Sequence, residues 1–486
     1  MKKKNINKKE KVNILVEDML KDIDLSKKDK QKLYDDFKKI INYYLQNNVT
    51  VEEITRRLQN DKVLKCYKKN NEWYSLDNSS KIYPLSMSSE WMSTYRLSIY
   101  LKDKVIPEVL QIALFYTVIR FPLFRTNLHK GFFWHYLDSS NKYYKVVKEE
   151  DIPCSPINVS KREKELFRVL YYENRISCEI FHLLCDAYGG TIFLETLVGE
   201  YMRLLGNDIK YDEVCLNPKS DINKEELDDM FLKIHPIKQE GNLVEKRAIP
   251  LDGKLSNVQP CQVIHFEMDL EKVHELAKNL NASINELLLT YLFLAISYST
   301  SKEGFIKIQV PVNMRKFYQS KTLRNFSLYN TISFTKGDIK GFDELLKKVK
   351  NASRYKLSKE VIDGVLYHSV SLVNKLRLMP LFIKRPIASF IYRYFGDPSS
   401  TTVFSNLGKI NLPDEMNNKV EKMDFVLGTT LSNKALFTAV SVNNILTLSI
   451  TKFTTNTSVE NSLYNMLKEN DLIIKVTGSD LYENRK

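Results

Sequence analysis

The stretch RISCEIFHLLCDAYGG, residues 175–190, decides how the centre of this chain folds. From residue 176 to His182 every second side chain shares one face, a period of two that is typical of a half-buried strand. Residues 167–172 have the same character, so the two segments predict a β-hairpin. Residues 191–205 have helical spacing, and a glycine marks the end of that helix. His182 is therefore expected at the end of a strand, just before a short loop and a helix.

Two larger units of the chain begin alike, each with a strand and then a helix. A strand is predicted over residues 93–100 with a helix that opens at Pro107, and a strand over 261–269 also precedes a helix. We therefore expect an α+β protein in which residues 71–255 and 256–486 form two similar lobes of mixed sheets with flanking helices. A tunnel for ligands is expected at the interface of the lobes.

Residues 1–70 precede these units and are predicted to be helical. Apolar residues recur at helical spacing over 12–20 and again over 33–44, and the charged residues between them predict a solvated face. Asn47-Asn48 breaks the pattern, and a short helix follows. We interpret this segment as a small helical appendage to the two lobes.

The composition is that of a globular protein, with 486 residues, 43% hydrophobic residues and a net charge of +14. This length exceeds one ordinary domain, and the hydrophobic content is enough to bury large cores. The positive charge indicates either an anionic partner or a lysine-rich bias spread over the surface. We favour the second interpretation, and we expect a monomer that does not bind nucleic acid.

The cysteines indicate a reducing compartment. No two are spaced as Cys-x-x-Cys and no apolar signal segment precedes them, so we expect free thiols, no zinc site and a cytoplasmic protein. The six cysteines stand at positions 66, 154, 178, 185, 215 and 261.

Residues 378–395 are the nearest approach to a long apolar run. Charged residues and two prolines interrupt them, so the segment is not expected to span a bilayer. Three interpretations remain open, namely peripheral contact with a membrane surface, the lining of an apolar channel, and a buried pair of kinked helices.

His182 and Asp186 form a His-x-x-x-Asp pattern. Neutral imidazole accepts a proton from an alcohol, amine or thiol near physiological pH, as few other side chains do. Chance supplies such a pattern in roughly one chain in three, so its neighbours decide its value. The same residues could also be a core histidine, a nucleophilic Cys185 with His182 as its base, or a metal site. We expect Cys185 to be a small buried residue, and we expect neither a nucleophile nor a metal here.

Several further stretches carry a resemblance to a known family. By these stretches and their order, the chain resembles the two-lobed, condensation-domain-like acyltransferases. That family includes chloramphenicol acetyltransferase, plant-type acyl-CoA alcohol acyltransferases and peptide-synthetase condensation domains. It looks most similar to bacterial proteins of the alcohol acetyltransferase type. The resemblance covers the chain from about residue 70 to the end. The stretches that carry it are 73–78 with 81–84, 121–124, 181–190, 311–318, 322–326 and 405–408.

The resemblance implies a mechanism and roles for particular residues. His182 would act as general base while an acceptor attacks an acyl thioester, with no covalent acyl-enzyme. Asp186 would point away from the tunnel and form a buried ion pair with Arg315, which fixes the loop that carries the histidine. The oxyanion or substrate contacts would come from Asn313, Ser405 or Asn406.

The resemblance also implies the substrates. We expect acyl-CoA, in the first place acetyl-CoA, as co-substrate, a small-molecule alcohol or amine as acceptor, and no bound cofactor. The apolar residues 378–395 suggest an apolar acyl chain or alcohol. Two other interpretations stay open, a condensation enzyme that uses carrier-bound substrates and a catalytically inactive binding module of the same fold.

The chain departs from the family pattern at two positions beside the histidine. Phe181 stands where many members have a first histidine, which favours free acyl-CoA over a carrier protein. Ala187 replaces the usual glycine after Asp186, where glycine normally permits a tight backbone geometry. We expect Gly189 and Gly190 to keep this turn flexible.

Overall fold

The computed structural model describes most of the chain. The described residues are 8–21, 23–59, 72–87, 92–157, 165–234, 247–391, 399–428 and 433–482. Cys66 lies outside them, and the other five cysteines are free thiols with buried side chains.

The first lobe is a five-stranded sheet with two long helices against one face, beside a small three-stranded sheet. The order of the large sheet is β12-β2-β7-β6-β5, in which β12 is Val420–Leu427, and that of the small one is β1-β4-β3. The strands are β1 Trp73–Ser75, β2 Thr94–Leu101, β3 Thr126–Lys130, β4 His135–Ser139, β5 Val146–Lys148, β6 Phe167–Tyr172 and β7 Arg175–Phe181. The helices, after three at the N-terminus, are α4 Tyr83–Ser86, α5 Pro107–Arg120, α6 Ala187–Leu204 and α7 Met230–Lys233, with 3₁₀ turns at Pro122–Arg125 and Lys224–Leu227.

The second lobe is a seven-stranded sheet of order β10-β9-β11-β13-β14-β8-β15 with helices against it. Its strands are β8 Gln262–Asp269, β9 Phe305–Asn313, β10 Ser327–Thr335, β11 Thr402–Ile410, β13 Ala435–Val442, β14 Ile445–Lys452 and β15 Lys475–Gly478. Its helices are α8 Leu270–Asn279, α9 Ile284–Ser299, α10 Phe342–Lys356, α11 Lys359–Lys375, α12 Leu381–Ile391, α13 Asp414–Asn417 and α14 Ser458–Glu469, with 3₁₀ turns at Met314–Lys316 and Lys336–Asp338.

The two lobes are joined by an exchanged strand. The strand β12, Val420–Leu427, comes from the second half of the chain but pairs antiparallel with β2 at the edge of the first lobe's sheet. Its hydrogen bonds complete the exposed edge of that sheet, so the first lobe depends on residues far along the chain. The division of the two lobes between residues 255 and 256 stays a prediction.

The fold class predicted from the sequence is confirmed, and several local predictions hold closely. The hairpin of β6 and β7 and the helix that opens at Pro107 are present. At the start of α9, Ser283 and Glu286 exchange the reciprocal hydrogen bonds of a capping box, which satisfies two backbone N–H groups that the helix cannot.

The N-terminal helices pack directly on the first lobe. They are α1 Lys8–Lys21, α2 Lys27–Gln46 and α3 Val51–Leu58. The ring of Phe37 lies edge-on to Phe115 with centroids 6.1 Å apart, and the hydroxyl of Tyr44 donates to the carbonyl oxygen of Leu204 at 2.7 Å. These side chains belong to one hydrophobic cluster with α5 and α6. The appendage therefore shares the core of the lobe.

Among the described residues, no single helix is long and apolar enough to cross a bilayer. One bent pair, α8 with α9, meets the length and hydropathy requirements when taken together, and its two helices meet at 84°.

Candidate active site

His182 lies immediately after β7, at the place where the strand pattern predicts it. Its backbone N–H donates to the carbonyl oxygen of Ser93 at 2.8 Å, which holds the start of the loop against the residue that precedes β2. The imidazole is stacked on the ring of Tyr83, with centroids 4.7 Å apart, and meets Tyr95 edge-on at 5.3 Å. Two aromatic rings thus restrict the histidine to one orientation.

The hydrogen bond at Nδ1 determines the tautomer of His182. Nδ1 lies 2.8 Å from Oδ1 of Asn325, and the amide nitrogen of Asn325 donates to the hydroxyl of Ser80 at 2.8 Å. That nitrogen is also 3.3 Å from a carboxylate oxygen of Asp77. Reversing the amide would place its oxygen against a carboxylate, so Oδ1 faces the histidine, where it can only accept a hydrogen bond. Nδ1 therefore carries the hydrogen, and Nε2 retains its lone pair.

A buried polar network supports Asn325 from behind. Asp77, Ser80 and Asn325 are almost completely buried. Asp77 accepts hydrogen bonds from the backbone N–H of Ser80 at 2.8 Å and from its hydroxyl at 2.6 Å, and Nε of Arg324 lies 3.6 Å away. Since Asp77, Ser80 and Asn325 each have a hydrogen-bond partner, the amide of Asn325 is held in one orientation.

Burial lowers the pKa of His182 below its ordinary value of 6.5, although a hydrogen bond to its own backbone, the charge of Asp186 and the hydrogen bond to Asn325 act in the opposite direction. Water is partly excluded from the ring, and removing water disfavours the charged imidazolium. The histidine is therefore neutral at physiological pH, which is the protonation state that a general base requires.

Asp186 and Arg315 are brought together across the two lobes. Nη1 of Arg315 lies 2.8 Å from Oδ2 of Asp186, and both side chains are buried. The same carboxylate accepts from the backbone N–H of Phe326 at 2.9 Å and, through Oδ1, from that of Gly189 at 3.1 Å. Asp186 is thus the N-cap of α6 and the point where the loop is fastened to the second lobe.

Arg315 uses the rest of its guanidinium on the backbone of the second lobe. Nη2 donates to the carbonyl oxygens of Thr322 and Arg324, both at 2.8 Å, and Nε donates to Thr322 at 3.1 Å. The guanidinium carbon also lies 4.3 Å from the ring centroid of Tyr188. One planar, five-donor group therefore links the histidine loop to the segment that carries Asn325.

The glycines after Asp186 are required for close packing. The helix α6 begins at Ala187, four residues before the predicted start, so Gly189 and Gly190 lie in its first turn and not in a flexible loop. A Cβ at Gly189 would lie 2.2 Å from the carbonyl oxygen of Leu323, and one at Gly190 would lie 2.5 Å from the hydroxyl of Tyr95. The expectation of flexibility was wrong, and Ala187 occupies an ordinary first helical position.

Four of the other predicted residues line the same cavity as His182. This cavity has a volume of about 640 Å³ and is lined by both lobes. The lining includes His182, Asp186, Asn313, Ser405 and Asn406. Oδ1 of Asn313 accepts from the backbone N–H of Arg315 at 3.0 Å, and Oδ1 of Asn406 accepts from that of Gly408 at 2.8 Å. With both carbonyl oxygens engaged, each asparagine has its amide NH₂ as the group suited to donate to a ligand.

Cys185 lacks the properties of a nucleophile. Its side chain is buried, with Sγ 3.3 Å from the hydroxyl of Tyr95, and burial raises the pKa of its thiol. A protonated, inaccessible thiol does not attack substrates. Within the described ranges, no group of three or more His, Cys, Asp or Glu side chains could hold a metal ion.

Sequence reasoning missed the function of Asn325, Asp77 and Ser80 as the support of the histidine. Asp77 and Asn325 both stand in stretches that carried the family resemblance, but 248 residues separate them. A strand period or a helix face relates only near neighbours, so neither could have paired them. Their place in those stretches was the signal that could have singled out Asp77 and Asn325.

The arrangement of the lobes, the exchanged strand and the cavity between them define a class of fold. The chain has the two-lobed fold of the condensation-domain-like and CoA-dependent acyltransferases.

Three solved structures illustrate the likeness. Polyketide synthase associated protein 5 from Mycobacterium tuberculosis has a TM-score of 0.56 and 11% identity, over 81% of this chain and 97% of that one. TRI101 of F. graminearum, complexed with ethyl coenzyme A, has a TM-score of 0.53 and 11% identity, over 82% and 97%. The epimerization domain from the third module of tyrocidine synthetase B has a TM-score of 0.52 and 14% identity, over 82% and 94%. No family model and no curated protein matches the sequence.

Proposed function

We propose that this protein is an acyltransferase that moves an acyl group from acyl-CoA to a small-molecule alcohol or amine, with His182 as general base. The observation that carries the proposal is the hydrogen bond from Nδ1 of His182 to Asn325. It leaves the lone pair of Nε2 on a neutral ring at the wall of a cavity lined by both lobes. Every neutral imidazole has one unprotonated nitrogen, and the position of this ring at the cavity wall is what suits it to accept a proton from a substrate.

The proposed reaction is a direct transfer. Nε2 of His182 takes the proton of the acceptor's hydroxyl or amine as its oxygen or nitrogen forms a bond to the thioester carbonyl carbon. The carbon–sulfur bond then breaks, and the imidazolium returns its proton to the sulfur of CoA. Holding both substrates in one cavity supplies much of the rate, and no covalent acyl-enzyme is formed.

Charge that develops on the carbonyl oxygen needs hydrogen-bond donors. Asn313, Ser405 and Asn406 are the proposed donors, because all three line the cavity with His182. Asp186 and Arg315 are proposed to act through position alone, since their polar atoms are occupied by each other, by the backbone and, for Nη1 of Arg315, by Oδ1 of Asn313.

Free acyl-CoA is the proposed donor, and acetyl-CoA is the first donor to test. No bound cofactor is proposed. The fold is shared with TRI101, which was solved with coenzyme A and T-2, and with TRI3, a trichothecene 15-O-acetyltransferase. An alcohol O-acetyltransferase acting as a monomer in the cytoplasm is the specific form of the proposal.

The test is a transfer screen with acyl-CoAs of increasing chain length against a panel of alcohols and amines, with release of free thiol as the readout. We expect acceptor-dependent thiol release by the wild type and at least about a hundredfold less by His182→Ala. Equal release by both proteins would refute the role of His182. Turnover of acyl groups only on a carrier protein would favour a condensation enzyme. Binding of acyl-CoA without any transfer would favour an inactive module.

A further inference from the structure

An apolar patch lies on the surface, and none of its residues lines the cavity beside His182. It consists of the tip of the β3–β4 hairpin, the solvent-facing side of α12, and Leu378, which precedes that helix. All of its side chains are large and exposed, and they are Phe132, Phe133, Leu378, Phe382, Ile383 and Ile387. The two parts are in contact, since the backbone N–H of Leu381 donates to the carbonyl oxygen of Phe132 at 2.8 Å.

The side of helix α12 that faces solvent is apolar, and a lysine is buried on its inner side. Leu381 and Lys384 face inward, and Nζ of Lys384 donates to the carbonyl oxygen of Phe133 at 2.7 Å and lies 3.3 Å from the ring centroid of Trp134. The side that faces solvent carries Phe382 and two isoleucines. A helix in contact with water normally has the opposite arrangement, so this face is suited to an apolar environment.

The two segments that form the patch carry basic residues and no acidic ones, and Asp138 and Asp363 lie just beyond their ends. Residues 364–391 contain four lysines and arginines and no acidic residue, and the hairpin segment 126–137 contains Lys130 and no acidic residue. Lys130, Lys375 and Arg377 are exposed at the edge of the patch. Two copies of the chain that met through this face would bring these cations together, which disfavours self-association.

We propose that the apolar patch docks on the surface of a membrane that contains anionic phospholipid. Phe132, Phe382 and their neighbours enter the boundary between headgroups and acyl chains, and the basic rim contacts the lipid phosphates. The protein lies on the bilayer, and neither the hairpin nor α12 spans it. This surface is separate from the chemistry of His182, so the inference does not depend on the proposed reaction.

The test is co-sedimentation of the full chain with unilamellar vesicles of phosphatidylcholine, alone or mixed with phosphatidylglycerol. We expect binding to the anionic vesicles that weakens as salt is raised. The double variant Phe132→Ser/Phe382→Ser should bind with a partition coefficient lower by at least about tenfold, because two large apolar side chains no longer enter the lipid.

A matched control separates this effect from a general loss of surface hydrophobicity. Phe132 and Phe382 are 68% and 72% exposed, and Tyr355 and Ile473, which do not belong to the patch, are 66% and 77% exposed. Tyr355→Ser/Ile473→Ser should therefore bind vesicles as the wild type does.

Three results would overturn the proposal. They are wild-type protein that stays in the supernatant with anionic vesicles, equal binding to neutral vesicles, and a Phe132→Ser/Phe382→Ser protein that binds as the wild type does. A lipid-free dimer that this variant converts to a monomer would assign the patch to a second copy instead. Unchanged circular dichroism and melting temperature would show that the variant is folded, so each result is interpretable.

Discussion

Breaking the ion pair between Asp186 and Arg315 should cost much more than breaking an ion pair on the surface. Arg315→Ala leaves the carboxylate of Asp186 buried without its cation, and it leaves the carbonyl oxygens of Thr322 and Arg324 without a donor. Removing one partner of a buried pair typically costs roughly 3–5 kcal/mol, against less than about 1 kcal/mol for an exposed pair. We therefore expect Arg315→Ala to lower the free energy of unfolding by roughly 3–5 kcal/mol.

Asp186→Ala removes other interactions as well, namely the cap of α6 and the acceptor for Phe326. A double-mutant cycle cancels these losses, because they are the same with and without Arg315. From the two single variants and the double variant, we expect a coupling energy of roughly 2–3 kcal/mol. Urea unfolding followed by circular dichroism measures it, with the first transition used if the two lobes unfold separately.

Lys104 and Glu173 provide the matched control, since Nζ of Lys104 lies 2.9 Å from Glu173 but both side chains are exposed. Their cycle should give a coupling energy under about 1 kcal/mol. If the Asp186–Arg315 cycle gives no more than this control, the pair is not a buried clamp and the reasoning from burial is refuted.

The remaining predictions concern the histidine and the start of α6. Because burial lowers the pKa of His182 and the neutral ring is the reactive form, kcat/KM should be constant above pH 6.5 and fall only as the pH drops through the lowered pKa. A pH–rate profile with its acidic midpoint above 6.5 would contradict this. Asn325→Leu removes the acceptor for Nδ1, so kcat should fall by about tenfold to a hundredfold with little change in KM. An unchanged kcat in steady-state kinetics would disprove this role of Asn325. Gly189→Ala places a Cβ against a backbone oxygen 2.2 Å away and should destabilise the fold by about 1–3 kcal/mol in thermal unfolding. Gly337→Ala, which meets nothing within 4 Å, should leave the melting temperature close to that of the wild type. Finally, iodoacetamide should label Cys185 only after unfolding, as peptide mass mapping can show, because burial raises the pKa of its thiol.

Local patterns in the sequence predicted the parts of this protein that depend on near neighbours. The alternation before His182 placed it at a strand end, and Pro107 marked the start of α5. The start of α6 was predicted four residues too late, because Gly189 and Gly190 are poor helix formers by themselves. In the structure, contact with Leu323 and the cap from Asp186 outweigh that preference.

The sequence by itself determined the α+β class, the elements of each lobe and the His-x-x-x-Asp pattern, because side-chain period and capping act over a few residues. Tertiary structure decided which residues meet. It joined β12 to the first lobe, packed the N-terminal helices into that lobe's core, and placed Asn325 against His182. It also turned the apolar side of α12 toward solvent, where the sequence left buried and surface interpretations open. These outcomes depend on contacts between residues more than a hundred positions apart, or on which face of an element another element covers. Neither is encoded in local spacing.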